Sequence, residues 1–296
     1  MYRIIQKRNY LFALSFVLLV PGVIATVVWG LRLGIDFTGG SVMSIRLPNA
    51  TAAAVAEELK TVVAGETTVQ ASDHGMFVIR LPFLTSDQHQ AVLDRFSQLD
   101  AQAEQQSFET VGPTIGRELK QRAVVAVVLV LLAIIIYITW AFRRVSTGPV
   151  PSWVYGLSAL FALVHDVFMV IGAFALLGHF FGIEVNALFV TALLTVLGFS
   201  VHDTIVVFDR VRERLRTSGA QAFTDVVNES LNQTLVRSIN TSLTTVLVLV
   251  ALFLFGGASI KFFVLALIIG IISGTYSSIF VATPLLVVYD QWKHRK

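Results

Sequence analysis

Two histidine–aspartate pairs lie inside apolar stretches of this sequence, and they are the residues best suited to chemistry. His202-Asp203 follows an apolar run that begins at Val185, and four arginines follow it at alternate positions from 210 to 216. His165-Asp166 lies near the centre of another apolar run, residues 152–177. A carboxylate at membrane depth is energetically costly, so it usually faces a bundle interior and often marks a path for ions or protons. The two pairs therefore indicate transport chemistry.

Asp203 is the predicted proton-binding residue. It precedes Arg210 by seven residues, which places it about 10 Å inside the membrane edge at 1.5 Å rise per residue. Loss of hydration at that depth favours the protonated form of a carboxylate, so reversible protonation near neutral pH is expected. The alternative is a structural polar contact that holds two helices together.

Arg237 begins a later apolar run, and we expect it to pair with Asp203 so that pairing and protonation alternate. Its alternative role is an anchor at the positively charged membrane edge. His202 titrates in the physiological range and is a candidate relay, or else a hydrogen-bonded interior histidine. His165-Asp166 is either a second relay element or a buried structural pair, and it lacks the third ligand that a zinc site needs.

Other chemistries have no support in the sequence. There is no cysteine, so disulfides and thiolate nucleophiles are excluded. The Gly-rich stretch from Gly34 to Gly40 lacks the lysine and the helix start of a phosphate-binding loop. We expect no enzyme activity, no cofactor, no metal and no nucleic-acid partner, so an ion gradient is the expected energy source.

The composition predicts a polytopic α-helical membrane protein. Hydrophobic residues make up 55% of the chain and charged residues only 14%, against about 25% charged residues in soluble domains. Crossing a bilayer takes about 20 apolar residues. Six apolar segments qualify: residues 10–31, 123–142, 152–177, from 185 to the arginine cluster, 239–255 and 262–289.

Basic residues set the expected orientation. They cluster before the first segment, after the second, after the fourth and in the C-terminal tail. Cytoplasmic loops are enriched in lysine and arginine, so both termini should be cytoplasmic. The expected domains are a cytoplasmic N-terminus with the first helix (1–31), an external domain (32–122) and a five-helix bundle (123–296). The bundle would include a cytoplasmic amphipathic segment over residues 209–237.

The sequence of the external domain predicts a small α+β unit. Alternating strands are predicted at residues 41–47, 67–71, 76–81 and 103–111, and helices at 51–64 and 85–99. The order β-α-β-β-α-β predicts a ferredoxin-like fold. Gly270 and Gly274 in the last apolar segment have the spacing that permits close helix packing.

Several motifs together resemble the SecF family, the smaller half of the SecD–SecF protein-export complex in the resistance-nodulation-division superfamily. They are GIDFTGG from Gly34, VGPTIGREL from Val111, His165-Asp166, GFSVHDTIVVFDRVRE from Gly198, NESLNQTLVRSINTSLTT from Asn228 and GTYSSIF from Gly274. They occur in the family's order along the whole chain. One departure is His202, where the family commonly has asparagine.

The resemblance implies a SecD partner, association with the SecYEG translocon, and an exported preprotein as substrate in the bacterial inner membrane. It also implies that proton flow drives export, with Asp203 and Arg237 matching the residues linked to proton passage. Two alternatives stay open at this stage. One is half of a proton-coupled drug or lipid exporter of the same superfamily, and the other is an ion-independent scaffold of the translocon.

Overall fold

The computed structural model describes residues 2–143, 149–219 and 221–295. Within these ranges, six helices are long and apolar enough to cross a membrane, as the composition predicted. The chain is a multi-pass membrane protein. It divides into two compact units, Leu33–Val124 and the remainder from Met1–Arg32 and Val125–Lys296.

The smaller unit is built on an antiparallel sheet. After a short helix, α2 (Ile35–Thr38), it contains β1 (Gly40–Arg46), α3 (Ala52–Val62), β2 (Thr68–Ala71), β3 (Met76–Leu81), α4 (Ser86–Leu99) and β4 (Glu104–Val111). The four strands lie in the order β2-β3-β1-β4, and every neighbouring pair is antiparallel. The predicted sequence of strands and helices is confirmed, and most bounds differ by one or two residues.

Alternation explains which face of the sheet is buried. Met43 and Ile45 of β1, with Phe77 and Ile79 of β3, point to one side and pack with α3 and α4. Successive strand residues face opposite sides, so this pattern buries one face of the sheet. Thr85 starts α4 with a reciprocal cap, because its hydroxyl accepts from the Gln88 amide and the Gln88 side chain accepts from the Thr85 amide.

The membrane helices form the larger unit, although the second of them begins in the smaller one. They are α1 (Arg8–Val28), α5 (Pro113–Ala141), α6 (Ser152–Phe181), α7 (Ala187–Thr217), α8 (Phe223–Phe255), α9 (Lys261–Ser277) and α10 (Thr283–His294). A π-helical turn, Ser278–Ala282, joins α9 to α10, so these two helices form one span.

The membrane helices depart from the sequence prediction at several places. α5 begins at Pro113, ten residues before the predicted apolar segment, because proline is well suited to a first helical position. α7 extends to Thr217 and α8 begins at Phe223, so the predicted amphipathic segment, residues 209–237, is divided between these two helices. α8 then continues without a break to Phe255, so its amphipathic start and the fifth apolar segment are one helix. The π-helical turn had no sequence prediction. It precedes Pro284, which lacks an amide N–H, and the Thr283 hydroxyl bonds the Ser278 carbonyl at 2.8 Å.

Small residues bring the bundle helices together. A Cβ atom on Gly270 would lie 2.2 Å from a Val196 methyl carbon, and one on Gly274 would lie 2.8 Å from the Ser200 Cβ. The predicted packing role of this glycine pair is therefore confirmed, with α7 as the neighbouring helix. This close approach places the polar residues of α7 directly against those of α9.

Candidate functional site

Asp203 lies on α7 and is buried, with 7% of its surface exposed. The hydroxyl of Ser238 on α8 donates a hydrogen bond to Asp203 Oδ1 at 2.6 Å. The second carboxylate oxygen, Oδ2, is buried and has no hydrogen-bond partner among the described residues. An ionised carboxylate offers about four acceptor positions, so Asp203 keeps one oxygen free to take a proton.

The Asp203–Ser238 hydrogen bond is one of several side-chain contacts between α7 and α8, which are antiparallel. Further from the membrane centre, Arg210 Nε donates to Gln233 Oε1 at 2.6 Å, and Arg214 pairs with Glu229. In these three contacts the residue number rises on α7 as it falls on α8, so the two antiparallel helices keep one alignment along this length. This alignment sets Ser238 opposite Asp203.

His202 and Arg237 flank the two bonded residues in sequence, and both side chains are exposed. They lie within electrostatic range of the Asp203 carboxylate, whose described hydrogen bond comes from Ser238 instead. Alternation between ion pairing and protonation at Asp203 stays a prediction.

Asp166 lies on α6 and is completely buried. Its carboxylate accepts hydrogen bonds from three serine hydroxyls: Ser200 of α7 at 2.6 Å, and Ser273 and Ser277 of α9 at 2.8 and 2.7 Å. His165 Nδ1 lies 3.1 Å from Oδ1. Four groups thus occupy the acceptor positions of one carboxylate, and together they tie α6, α7 and α9 to one point.

A second set of hydroxyls fixes the turn of α7 that carries Asp203. Ser278 and Thr204 share a hydrogen bond at 2.8 Å between their hydroxyl oxygens. The Ser278 hydroxyl also reaches the Ser200 carbonyl at 3.2 Å. Residues 200, 203 and 204 lie within about one helical turn, so Asp166 of α6, Ser238 of α8 and Ser278 of the π-helical turn all hold this part of α7 through polar contacts.

His165 extends the Asp166 cluster towards Tyr276 of α9. Its Nε2 atom is buried and has no partner among the described residues, and its ring lies 6.4 Å from the ring of Tyr276. Tyr276 in turn donates to the Leu11 carbonyl at 2.7 Å. The structure therefore places His165 and Asp166 in one cluster, which is formed by α6, α7 and α9. Asp203 is outside that cluster and bonds Ser238 of α8.

The serine partners were not predicted from the sequence. Ser273 and Ser277 are four residues apart, so they lie on one face of α9, and that spacing within an apolar helix could have marked them. Ser200 and Ser238 had no such pattern. Among the residues that the structure describes, no three His, Asp or Glu side chains form a group that could hold a metal ion.

The chain matches two family models. Residues 91–292 match the C-terminal domain of the protein export membrane proteins SecD and SecF, and residues 25–47 match the SecD/SecF GG motif. The second match contains the Gly-rich stretch that begins at Gly34.

Curated relatives extend the match to nearly the whole chain. The protein translocase subunit SecF of Thermobaculum terrenum is 45% identical over 98% of this chain and 94% of its own length. The SecF subunit of Synechocystis is 42% identical over 90% of this chain and 85% of its own. The protein translocase subunit SecDF of Thermus thermophilus is 37% identical over 94% of this chain but only 37% of its own length.

Solved structures agree with these sequence matches. The crystal structure of SecDF from Thermus thermophilus, a translocon-associated membrane protein, superposes with a TM-score of 0.83 at 34% identity, covering 99% of this chain and 39% of that one. SecDF in its super-membrane-facing form gives a TM-score of 0.71 at 32% identity. The chain belongs to the SecD/SecF family of protein export membrane proteins, and its full-length relatives are SecF subunits.

Proposed function

We propose that this chain is the SecF subunit of a SecD–SecF protein translocase, which uses the proton motive force to complete protein export across the bacterial inner membrane. The observation that carries the proton-coupling step is the contrast between the two buried aspartates. Asp203 has one described donor and one free oxygen, whereas Asp166 has four neighbouring donor groups. Of the two carboxylates, Asp203 is therefore the one with an oxygen atom that can accept a proton without the loss of a described hydrogen bond.

In this proposal the proton binds Asp203 Oδ2 as an O–H bond, and the carboxyl becomes neutral. Neutralisation removes the attraction between Asp203 and the cationic Arg237 side chain, because the pair interacts by charge. The exposed His202 is the adjacent group through which protons enter or leave. Asp166 and His165 hold the helices in place, which favours the structural alternative over a relay for this pair.

The exposed polar side chains of α7 and α8 support a helical partner. His202, Arg237 and Asn240 are exposed within spans that are otherwise apolar. Charged and amide side chains in a membrane rarely face lipid, so another protein should cover this surface. The fused SecDF of Thermus thermophilus, of which this chain matches 37%, supports a SecD subunit as that partner.

The smaller unit fits a ferredoxin-like domain on the periplasmic side. Its β-α-β-β-α-β order and β2-β3-β1-β4 sheet agree with that fold. Basic residues near both termini support their cytoplasmic position, which puts residues 33–124 in the periplasm. There the domain would couple proton passage to the exported preprotein, with the SecYEG translocon delivering that chain.

Export in inverted vesicles tests the proposal with the near-isosteric Asp203→Asn variant. Asparagine keeps an oxygen for the Ser238 hydroxyl but cannot carry the charge, so the late, proton-driven phase of export should be lost. The matched control is Asp209→Asn, because Asp209 is an exposed carboxylate on the same helix and pairs locally with Arg212. Full export by Asp203→Asn, or by an Asp203→Asn, Arg237→Met double variant, would favour the ion-independent scaffold instead.

A further inference from the structure

An apolar groove follows α6 between α1 and α10. It consists of two cavities. The outer cavity, about 280 Å³, lies at the end lined by Trp292, and the inner cavity, about 340 Å³, lies at the end lined by His165. Phe161 and Leu285 line both cavities. The described residues that line it all lie on α1, α6, the π-helical turn or α10. The groove is therefore separate from the polar surface of α7 and α8.

The groove is long enough to cross the hydrocarbon of one membrane leaflet and to reach the membrane–water interface. Its lining on α6 runs from Val154 to Phe168, which is about 21 Å at 1.5 Å per residue. The hydrocarbon of one leaflet is about 15 Å thick, half of the whole core. Tyr289 and Trp292 line the outer end, and such aromatic residues are typical of the membrane–water interface.

Cationic residues lie near the outer end in the sequence and through their hydrogen-bond partners. Lys293 and Arg295 lie one and three residues after Trp292. Lys293 Nζ donates to the Pro149 carbonyl at 3.3 Å, close to the start of α6. Arg8 Nη2 donates to Gln291 Oε1 at 2.6 Å. The carboxylate at this end, Asp290, lies 3.3 Å from His294 Nε2. The groove thus combines an apolar channel with a cationic mouth, which matches a lipid that has an anionic headgroup.

We propose that this groove binds one phospholipid with a negatively charged headgroup. An acyl chain fills the groove, and the headgroup phosphate lies at Lys293 and Arg295. The proposal depends on the orientation given under the proposed function, in which this end faces the cytoplasm, and not on proton coupling. The inner cavity is lined by His165, so the acyl chain would also exclude water from the side of the bundle that leads to Asp166.

Native mass spectrometry of the purified full-length chain tests the proposal directly. The probes are phosphatidylglycerol and phosphatidylcholine with identical acyl chains. We expect one tightly bound phosphatidylglycerol and weaker binding of phosphatidylcholine. Lys293→Gln and Arg295→Gln should each weaken phosphatidylglycerol binding about fivefold, while Arg216→Gln, an exposed arginine on α7, should leave it unchanged.

A second pair of variants tests the acyl-chain position. Val288→Phe places a ring in the outer cavity at a residue that is 38% exposed, so folding should be preserved and both lipids should bind more weakly. Leu247→Phe, at an exposed position on α8, should have no effect. Equal binding of the two lipids, or unchanged binding to Val288→Phe, would overturn the proposal. It would also be overturned if the complex with the partner subunit excluded the lipid, because the groove would then be a protein interface.

Discussion

Removing the Asp166 carboxylate should destabilise the helix bundle more than removing any one of its partners. In Asp166→Ala, the hydroxyls of Ser200, Ser273 and Ser277 lose their common acceptor. All three serines are at most 5% exposed, so water cannot replace the lost acceptor. His165 Nδ1 loses its described contact as well.

The size of the effect follows from the number of contacts. Hydrogen bonds between membrane helices are worth about 0.6 kcal/mol on average and at most about 1.7 kcal/mol. Three serine contacts therefore predict a loss of about 2–5 kcal/mol in the free energy of unfolding for Asp166→Ala. A single Ser277→Ala change should cost about 0.6–1.7 kcal/mol. Asp166→Asn should fall between them, because its carbonyl oxygen still accepts while its amide nitrogen does not.

The assay is unfolding of the purified chain in mild detergent, followed by a denaturant titration and arranged as a double-mutant cycle. Ser277→Ala should cost much less in the Asp166→Ala background than in the wild-type background, because its acceptor is already absent. Equal costs in the two backgrounds would contradict the cluster. So would an Asp166→Ala variant no less stable than the single serine variants.

Two further predictions concern individual aspartates. Ser238→Ala removes the described donor to Asp203, so the pH midpoint of proton-driven export should differ from that of the wild type. Ser238→Thr keeps a hydroxyl and should have the wild-type midpoint. Identical pH profiles of export for the wild type and both variants would contradict the role of Ser238. In the smaller unit, the backbone amides of Asn49 and Gln102 donate to Asp100 at 2.8 and 2.9 Å and hold the pKa of that carboxyl below its ordinary value. The resulting stability is present above about pH 4 and is lost as the pH falls through the lowered pKa. Hydrogen exchange of this unit, measured between pH 6 and pH 3, should therefore show a loss of protection as the pH falls. Asp100→Asn should reduce this loss, whereas the control Asp94→Asn, at an exposed carboxylate, should not. Equal acid dependence of protection in the wild type and both variants would refute the prediction.

Local sequence patterns predicted the elements of this fold well. Uncharged runs identify the membrane helices because the bilayer imposes a length and an apolar composition. Alternation identifies the strands, and β3 has the predicted bounds Met76–Leu81. The continuity of α8 through Arg237 was missed, because a change in polarity along the chain does not by itself end a helix.

The candidate site was only partly predictable, for a different reason. The aspartates are recognisable one at a time, since a carboxylate in an apolar run is unusual. Their partners are distant in sequence: Ser200, Ser273 and Ser277 lie 34, 107 and 111 residues from Asp166. No local pattern states which serines meet which aspartate, because helix packing decides it. The difference between Asp166 and Asp203 therefore becomes visible only in three dimensions.

The central claim is that Asp203 carries the proton that drives export, and proton flux during translocation tests it most directly. The measurement compares wild type, Asp203→Asn and Asp209→Asn in inverted vesicles that contain the chain with its SecD partner. Wild type and Asp209→Asn should show flux that rises during translocation, and Asp203→Asn should show neither that flux nor late export. Unchanged flux in Asp203→Asn would contradict the account and return the search to His165 and Asp166 or to the partner subunit.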